Sequence, residues 1–401
     1  MLTITDLAQE QRIQPIWRQA FRPLFLFGAL FAVLAVAYWI ATIIFQLRLP
    51  HYGGAMFWHA HEMLYGFVVA IILGFLLTAV QNWTAIRGIY GKPLIFLVAL
   101  WGLGRLLMLV ELESLQWLAA IVDFALLPIA CVILARPIVV RKQWRNLVFV
   151  PILTLLAINN ALMHISVLAE INGLYQQAAF TTVLLISLLI TIIGGRVIPM
   201  FTANGVGFSK PQPIRGLERS VIVATGAIFV LFFLRLDRLL ADSYIALIFA
   251  LTALLHLFRM LRWKPWCTVK HPLVWSLHAG YGFLVIGFAL LAIHWQWHLF
   301  TRSTAMHALT VGAMGVMILA MLTRVSLGHS GRPLVAPKWL GGFLLCAIFA
   351  ALLRTIMLAI YPQYSLWWIA SAALLWCIAF SGYLLRYTKI LTAPRADGHP
   401  G

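Results

Sequence analysis

Carboxylates are scarce in this chain. Its 401 residues hold 11 Asp+Glu against 29 Lys+Arg, and charged residues make up only 10% of the total. An ordinary soluble domain is about a quarter charged and about half apolar. Here 63% of residues are hydrophobic and the mean hydropathy is +0.95. A soluble fold has no means of hiding that much apolar surface, so a soluble enzyme, a disordered chain and a coiled coil are excluded. A cysteine framework is also missing. Cys131, Cys267, Cys346 and Cys377 show no CxxC spacing, which excludes a disulfide scaffold and a zinc ribbon. No CxxCH occurs, so c-type haem attachment is excluded. The first 23 residues are polar and lack the apolar core of a cleavable signal, so the first spanning segment is expected to act as the targeting element. No internal repeat is evident, so the inverted repeats of many transporters are not invoked.

What is present in quantity is long apolar runs. A bilayer core of roughly 30 Å needs about 20 residues of helix. Twelve segments meet that need, at 24–46, 58–84, 93–110, 116–135, 146–168, 176–199, 218–236, 240–260, 272–294, 302–324, 337–360 and 365–388. The runs are continuous rather than alternating, which selects helices over a transmembrane barrel. The expected fold is therefore all-α: a polytopic membrane helical bundle of about 12 helices, read as a single domain over 1–401 without a soluble part.

The basic residues report orientation. With the N-terminus inside, 22 Lys and Arg fall on the cytoplasmic side, among them Arg12, Arg22, Arg141, Arg259, Arg262, Lys264, Arg324, Lys338 and Arg395. Only Arg48, Arg235, Arg238 and Arg302 fall outside, together with Glu111, Glu113, Glu170, Asp237 and Asp242. That bias predicts an N-in, C-in topology. It also accounts for the net charge of +18 through topology and contact with anionic lipid, so nucleic acid is not expected as a partner.

Ionisable residues at bilayer depth are costly and mark function. Six helices place such residues near the outer face: His59, His61 and Glu62 in WHAHE, then Arg105, Asp123, His164, His307 and Arg354. Imidazole is the usual protein ligand for haem iron, copper and non-haem iron. His59 and His61 point roughly 200° apart on a regular helix, so they share a metal only if the helix is unwound and otherwise serve two sites. Glu62 is read as a ligand, an orienting group or a proton carrier. Arg105 and Asp123 make a natural buried pair, and either arginine of this layer suits a haem propionate. A weaker inner layer holds His256, His278, Arg196, Arg324 and His329. His278 stands out because Gly280 and Gly282 allow close approach of a helix or a flat cofactor. Each of these residues also has a bland reading, as interfacial or packing groups. Small-residue stripes at Gly66, Ala70 and Gly74, and at Ala308 and Gly312, are sufficiently explained by helix packing.

FRPLFLFG at 21–28, WHAHEMLYGF at 58–67, GFLLTAVQNWT at 74–84, WGLGR at 101–105, GGRVIPMFTANG at 194–205, LHAGY at 277–281 and HALTVGAMGVMILAMLTRVSLGHSGRPL at 307–334 together resemble the NnrS family of bacterial inner-membrane proteins. The resemblance spans most of the chain. It implies a twelve-helix haem protein, with copper reported in some members, linked to nitric oxide metabolism and nitrosative stress. It carries the family's histidines onto His59, His61, His278, His307 and His329 without saying which binds haem.

Three functions follow as expectations. The first is a nitric oxide reductase, with haem b, copper or non-haem iron as a further metal, and Glu62 as proton donor. Its cofactor ligands would come from His59, His61, His164, His278, His307 and His329, with Arg105 and Arg324 on the cofactor's anionic groups. NO would be the substrate, a quinol or cytochrome the electron donor, and a homodimer is compatible. The second is a non-catalytic NO-binding protein that gives tolerance. The third, a transporter of metal or haem, rests on helix count alone.

Overall fold

The computed structural model describes residues 10–207, 209–337 and 339–399. Lys338, counted above among the cytoplasmic cations, lies outside them. Among the described residues, eleven helices of at least 18 residues are apolar enough to cross a membrane. A twelfth, Gly91–Leu107, has 17 residues, which is just sufficient length for a bilayer core.

In chain order the helices are α1 (Phe21–Ile44), α2 (Ala55–Thr84), α3 (Gly91–Leu107), α4 (Glu113–Val140), α5 (Phe149–Leu168) and α6 (Leu174–Val206). There follow α7 (Arg215–Phe233), α8 (Asp242–Arg262), α9 (Pro272–Trp297), α10 (Arg302–His329), α11 (Leu340–Ile360) and α12 (Ser365–Thr392). Starts agree with the apolar runs to within a few residues. The ends of α4, α6 and α10 lie further on than the sequence suggested. Hydropathy marks where apolar character stops, whereas the helix runs on into basic or Gly/Pro-containing sequence at the membrane edge. Pro199 of α6 and Pro128 and Pro137 of α4 are accommodated inside their helices.

No water is available in a bilayer core to satisfy hydroxyl groups, and the chain deals with this locally. Thr78, Ser187, Thr202, Thr225 and Ser276 each donate to the carbonyl four residues earlier, at 2.7–2.8 Å. Helix burial is uneven. In α2 and α6, 78% of the most apolar window is buried, against 28% in α11. The apolar α11 surface therefore faces lipid, while α2 is surrounded by protein.

Three stretches depart from α-helix into wider π-helical turns: Glu62–Val68 in α2, Ala308–Val316 in α10 and Leu353–Met357 in α11. The first begins immediately after His61 and the second immediately after His307. Such turns recur at functional sites because they re-aim side chains and free carbonyls. A carbonyl of the first stretch, that of Gly66, accepts a hydrogen bond from Trp101 Nε1 at 2.9 Å.

The chain divides into two compact units. The first takes the chain up to Ala179, Leu322–Leu334 and Phe380 onward; the second takes Phe180–Met321 and Val335–Ala379. In the first, α2 packs on α1 and α4, and α4 on α3 and α5. In the second, α9 packs on α8 and on the π-helical part of α10, which also receives α11. The small-residue stripes serve these packings. A Cβ on Gly74 would meet Phe25 of α1 at 3.0 Å, and one on Gly312 would meet Phe283 of α9 at 2.5 Å.

Three arginines counted above as surface topology signals, Arg22, Arg259 and Arg324, are buried. Arg22 is fully buried and donates to Leu391 O at 2.9 Å and Ala393 O at 2.6 Å, satisfying carbonyls at the end of α12. Arg259 is 2% exposed and paired to Glu218. Position near a helix end fits both a solvated anchor and a buried cap, and only packing separates them.

A buried histidine and carboxylate centre

The first unit gathers ionisable side chains from four helices. α2 brings His61 and Glu62, α3 Arg105, α4 Asp123 and α5 His164, and every one of them is buried. His61 Nδ1 lies 2.9 Å from Glu62 Oε1. Its Nε2 lies 2.9 Å from Asn160 Oδ1 and 3.2 Å from Asp123 Oδ2. His164 Nε2 lies 3.1 Å from the same Asp123 oxygen, and Tyr52 OH is 3.1 Å from its Nδ1. Asn160 Nδ2 donates to Asp123 Oδ2 at 2.8 Å. Arg105 closes the group, pairing through Nη1 with Glu62 Oε1 and through Nη2 with Asp123 Oδ1.

Two glycines make this convergence sterically feasible. A Cβ on Gly66 would sit 2.8 Å from Arg105 Nη1, so only glycine lets the guanidinium cross the π-helical turn of α2. A Cβ on Gly104 would sit 3.2 Å from Asp123 Oδ1. The WGLGR motif thus contains the indole that holds Gly66 O, the glycine that admits Asp123 and the arginine that bridges both carboxylates.

Donor and acceptor bookkeeping shows what this centre needs. A neutral imidazole has one N–H and one lone pair. His164 is satisfied in that form, donating from Nε2 to Asp123 and accepting from the Tyr52 hydroxyl. His61 is not. Its Nδ1 faces a carboxylate oxygen, and its Nε2 faces an amide oxygen and a second carboxylate oxygen. Turning the Asn160 amide over relieves one contact and puts its oxygen against Asp123 instead. Two carboxylates against one guanidinium also leave a formal charge of −1 when both histidines are neutral. One more positive charge, a proton or a metal ion, completes the group.

The donor set suits a metal. One nitrogen from each of His61 and His164 and one oxygen from Asp123 lie within 4.8 Å of one another. Two histidines and a carboxylate are the donors of non-haem iron facial triads, and nitrogen–oxygen sets also suit copper. With both Nε2 atoms given to a cation, each Nδ1 is left as the N–H: His61 then donates to Glu62 and His164 to Tyr52. A ligating histidine ordinarily donates its second N–H to a carboxylate or similar acceptor in this way.

The remaining expected site residues lie elsewhere. His59, two residues from His61, stacks on Trp39 at 4.0 Å between ring centroids with planes 21° apart, so the two histidines face different surroundings. His278 is buried in the second unit, with Nε2 2.8 Å from Thr202 Oγ1 and Nδ1 without a hydrogen-bond partner among the described residues. Gly280 leaves no cradle for a flat cofactor, because its Cβ position lies 2.9 Å from Met317 N and is used by helix packing. His307 and Arg354 also belong to the second unit, and His307 Nδ1 donates to Ser303 O at 2.6 Å. His329 packs against Phe21 with ring centroids 5.6 Å apart, while Arg324 is buried nearby in sequence.

Several residues of the network were missed at the sequence level. Asn160, Tyr52 and Trp101 carry no ionisable group that marks them at bilayer depth, although an Asn159–Asn160 pair inside an apolar helix is an equally clear signal. A second buried network was also missed. Glu218 of α7 pairs with Arg259 of α8, whose Nη1 donates to Thr191 O at 2.9 Å and Tyr281 OH at 3.0 Å. Tyr281 OH lies 2.8 Å from His256 Nδ1, and His256 Nε2 lies 2.9 Å from Thr225 Oγ1.

A family model described as NnrS protein matches residues 15–395, nearly the whole chain. No curated protein sequence matches it significantly.

Proposed function

Since the chain belongs to the NnrS family, whose membership suggests a role in the response to nitric oxide, we propose that it is a metal-dependent NO-handling protein of the bacterial inner membrane and reduces NO to N2O. The observation that carries this reading is the unmet demand of His61, both of whose ring nitrogens face oxygen acceptors. His61, His164 and Asp123 would hold a non-haem iron or copper ion, which supplies a binding site for NO and a route for electrons. Haem b is carried by the family alone, and His278, with its open Nδ1, is the residue best suited to it.

The overall reaction takes two NO, two electrons and two protons to N2O and water. The chain's own groups provide for the protons and for exclusion of bulk water. Glu62 is completely buried and shares Oε1 between His61 and Arg105. It orients the imidazole, and its carboxyl is the nearest group able to hold a proton for transfer. Arg105 fixes both carboxylates, so that neither swings away when the charge of the centre changes. Electrons would come from a quinol or cytochrome.

The test is anaerobic purification followed by metal analysis, a visible spectrum and NO consumption with N2O detection. About one iron or copper per chain, lost in His61→Ala and His164→Ala, is the expected result. NO consumption without N2O would make the protein an NO-binding one. Full metal content in both variants would remove the assignment.

A further inference from the structure

Between Asp242 and Asp397 the sequence contains no carboxylate side chain at all. The loop after α6 lacks one as well, and Glu218, the first that follows it, is held by Arg259. At one end of the second unit this one-sided chemistry surrounds a cavity of about 530 Å³, lined by Ser209, Lys210, Gln212, Arg262, Lys264 and Trp266, with Pro211 and Leu261. Arg262 Nη2 donates to Gln212 O at 3.0 Å, which ties the α6–α7 loop to the end of α8 and braces both walls. Lys264, in the left-handed region at φ 56°, turns the chain out of α8 beside it.

The lining mixes two kinds of group. Lys210, Arg262 and Lys264 supply three cations. Trp266, 60% exposed, and Leu261, 43% exposed, add apolar surface where α8 ends. A hydrated oxyanion has no use for the apolar groups. A phospholipid uses both kinds, its phosphate with the cations and its glycerol and first methylenes with the indole and Leu261. Tryptophan prefers this depth of a membrane, and basic pockets at the ends of spanning helices take anionic headgroups. The volume lies within the range of ordinary ligand sites.

We propose that this cavity, between the α6–α7 loop and the end of α8, is a binding site for the phosphate headgroup of an anionic phospholipid. The site is independent of the metal centre and of the function proposed for it.

The test uses the delipidated full-length protein in detergent, with native mass spectrometry titrations of dioleoylphosphatidylglycerol, dioleoylphosphatidylcholine and inorganic phosphate. Phosphatidylglycerol is expected to bind at least about tenfold tighter than phosphatidylcholine. Lys210→Gln with Lys264→Gln should weaken it roughly thirtyfold, about fivefold per cation, while Lys210→Arg with Lys264→Arg keeps it. The preference should fall as salt rises from 0.1 to 1 M, where screening shortens from about 10 to 3 Å. No preference for the anionic lipid, or an unchanged preference in the double Gln variant, would overturn the proposal. So would displacement of the lipid by inorganic phosphate at equal concentration, which would mark a site for a soluble ion. The Arg variants guard against misfolding, since they retain charge and bulk.

Discussion

The two units each pair an arginine with a carboxylate beside a buried histidine and tyrosine, yet they arrange them to opposite effect. In the second unit the donors run in one direction. Arg259 donates to the Tyr281 oxygen, Tyr281 to His256 Nδ1, His256 Nε2–H to Thr225, and Thr225 to Val221 O at 2.8 Å. Every member is satisfied with a neutral imidazole, and Glu218, 26% exposed, balances the guanidinium. In the first unit the acceptors outnumber the donors, both carboxylates are buried, and a neutral His61 leaves one acceptor facing another. A closed polar chain of the first kind fixes helix positions. An acceptor-rich one of the second kind is a place for a cation, and ionisable groups held at membrane depth in that state are functional candidates.

The largest effect should come from breaking the two ion pairs separately. Arg105→Ala strands Glu62 and Asp123 without a counter-charge in a site closed to water. A loss of about 3–5 kcal/mol is expected. Arg259→Ala should cost less, because Glu218 has access to solvent. Unfolding titrations of both variants in mixed micelles test the order. Equal losses, or a larger one for Arg259→Ala, would erase the distinction drawn between the units.

Metal content comes next. His61→Ala, His164→Ala and Asp123→Ala should each lower retained iron or copper at least about tenfold, while His256→Ala leaves it unchanged. Glu62→Gln keeps the three ligands and removes the negative charge that faces both His61 and Arg105, so metal affinity should fall by roughly 10- to 100-fold. Elemental analysis and competition with a chelator measure both. If His256→Ala loses as much metal as His61→Ala, the loss reports general unfolding.

The sequence made the spans legible, because length and hydropathy act along the membrane normal. It led to the expectation of one layer for His59, His61, Arg105, Asp123, His164, His307 and Arg354, of which the first unit brings His61, Arg105, Asp123 and His164 together. Depth is one coordinate, and a site needs the angle around the bundle as well. His59 and His61 share a depth and diverge by angle, one stacking on Trp39 and the other joining Asp123. The π-helical turn after His61 was not legible, since hydrophobic periodicity is blurred where a helix is apolar on nearly every side. Glu218 and Arg259 were hidden for a different reason. Charges at helix ends look like topology signals, and nothing in their sequence separates a solvated anchor from a buried pair.

The smallest expected effect is also the sharpest comparison, because it makes the same change in both units. Tyr52 and Tyr281 each place a hydroxyl on the Nδ1 of a buried histidine, at 3.1 and 2.8 Å. Tyr52→Phe should cost about 1 kcal/mol of stability, the ordinary worth of one such bond, and Tyr281→Phe about 2 kcal/mol, because its hydroxyl also accepts from Arg259. The two should part company in metal binding. In the second unit Tyr281→Phe touches no ligand, so metal content stays at the wild-type level. In the first, a metal on His164 Nε2 requires the proton on Nδ1, and the Tyr52 oxygen becomes its acceptor. Removing that oxygen leaves a buried N–H without a partner only when metal is bound, so Tyr52→Phe should weaken metal binding about tenfold. Chelator competition on the two variants, side by side with their unfolding curves, reads both quantities. A metal effect confined to Tyr52→Phe, despite its smaller stability loss, would mean that the tyrosine behind His164 acts on the bound ion. Equal metal affinities would mean that His164 is not a ligand, and the centre of the first unit would then hold a proton instead.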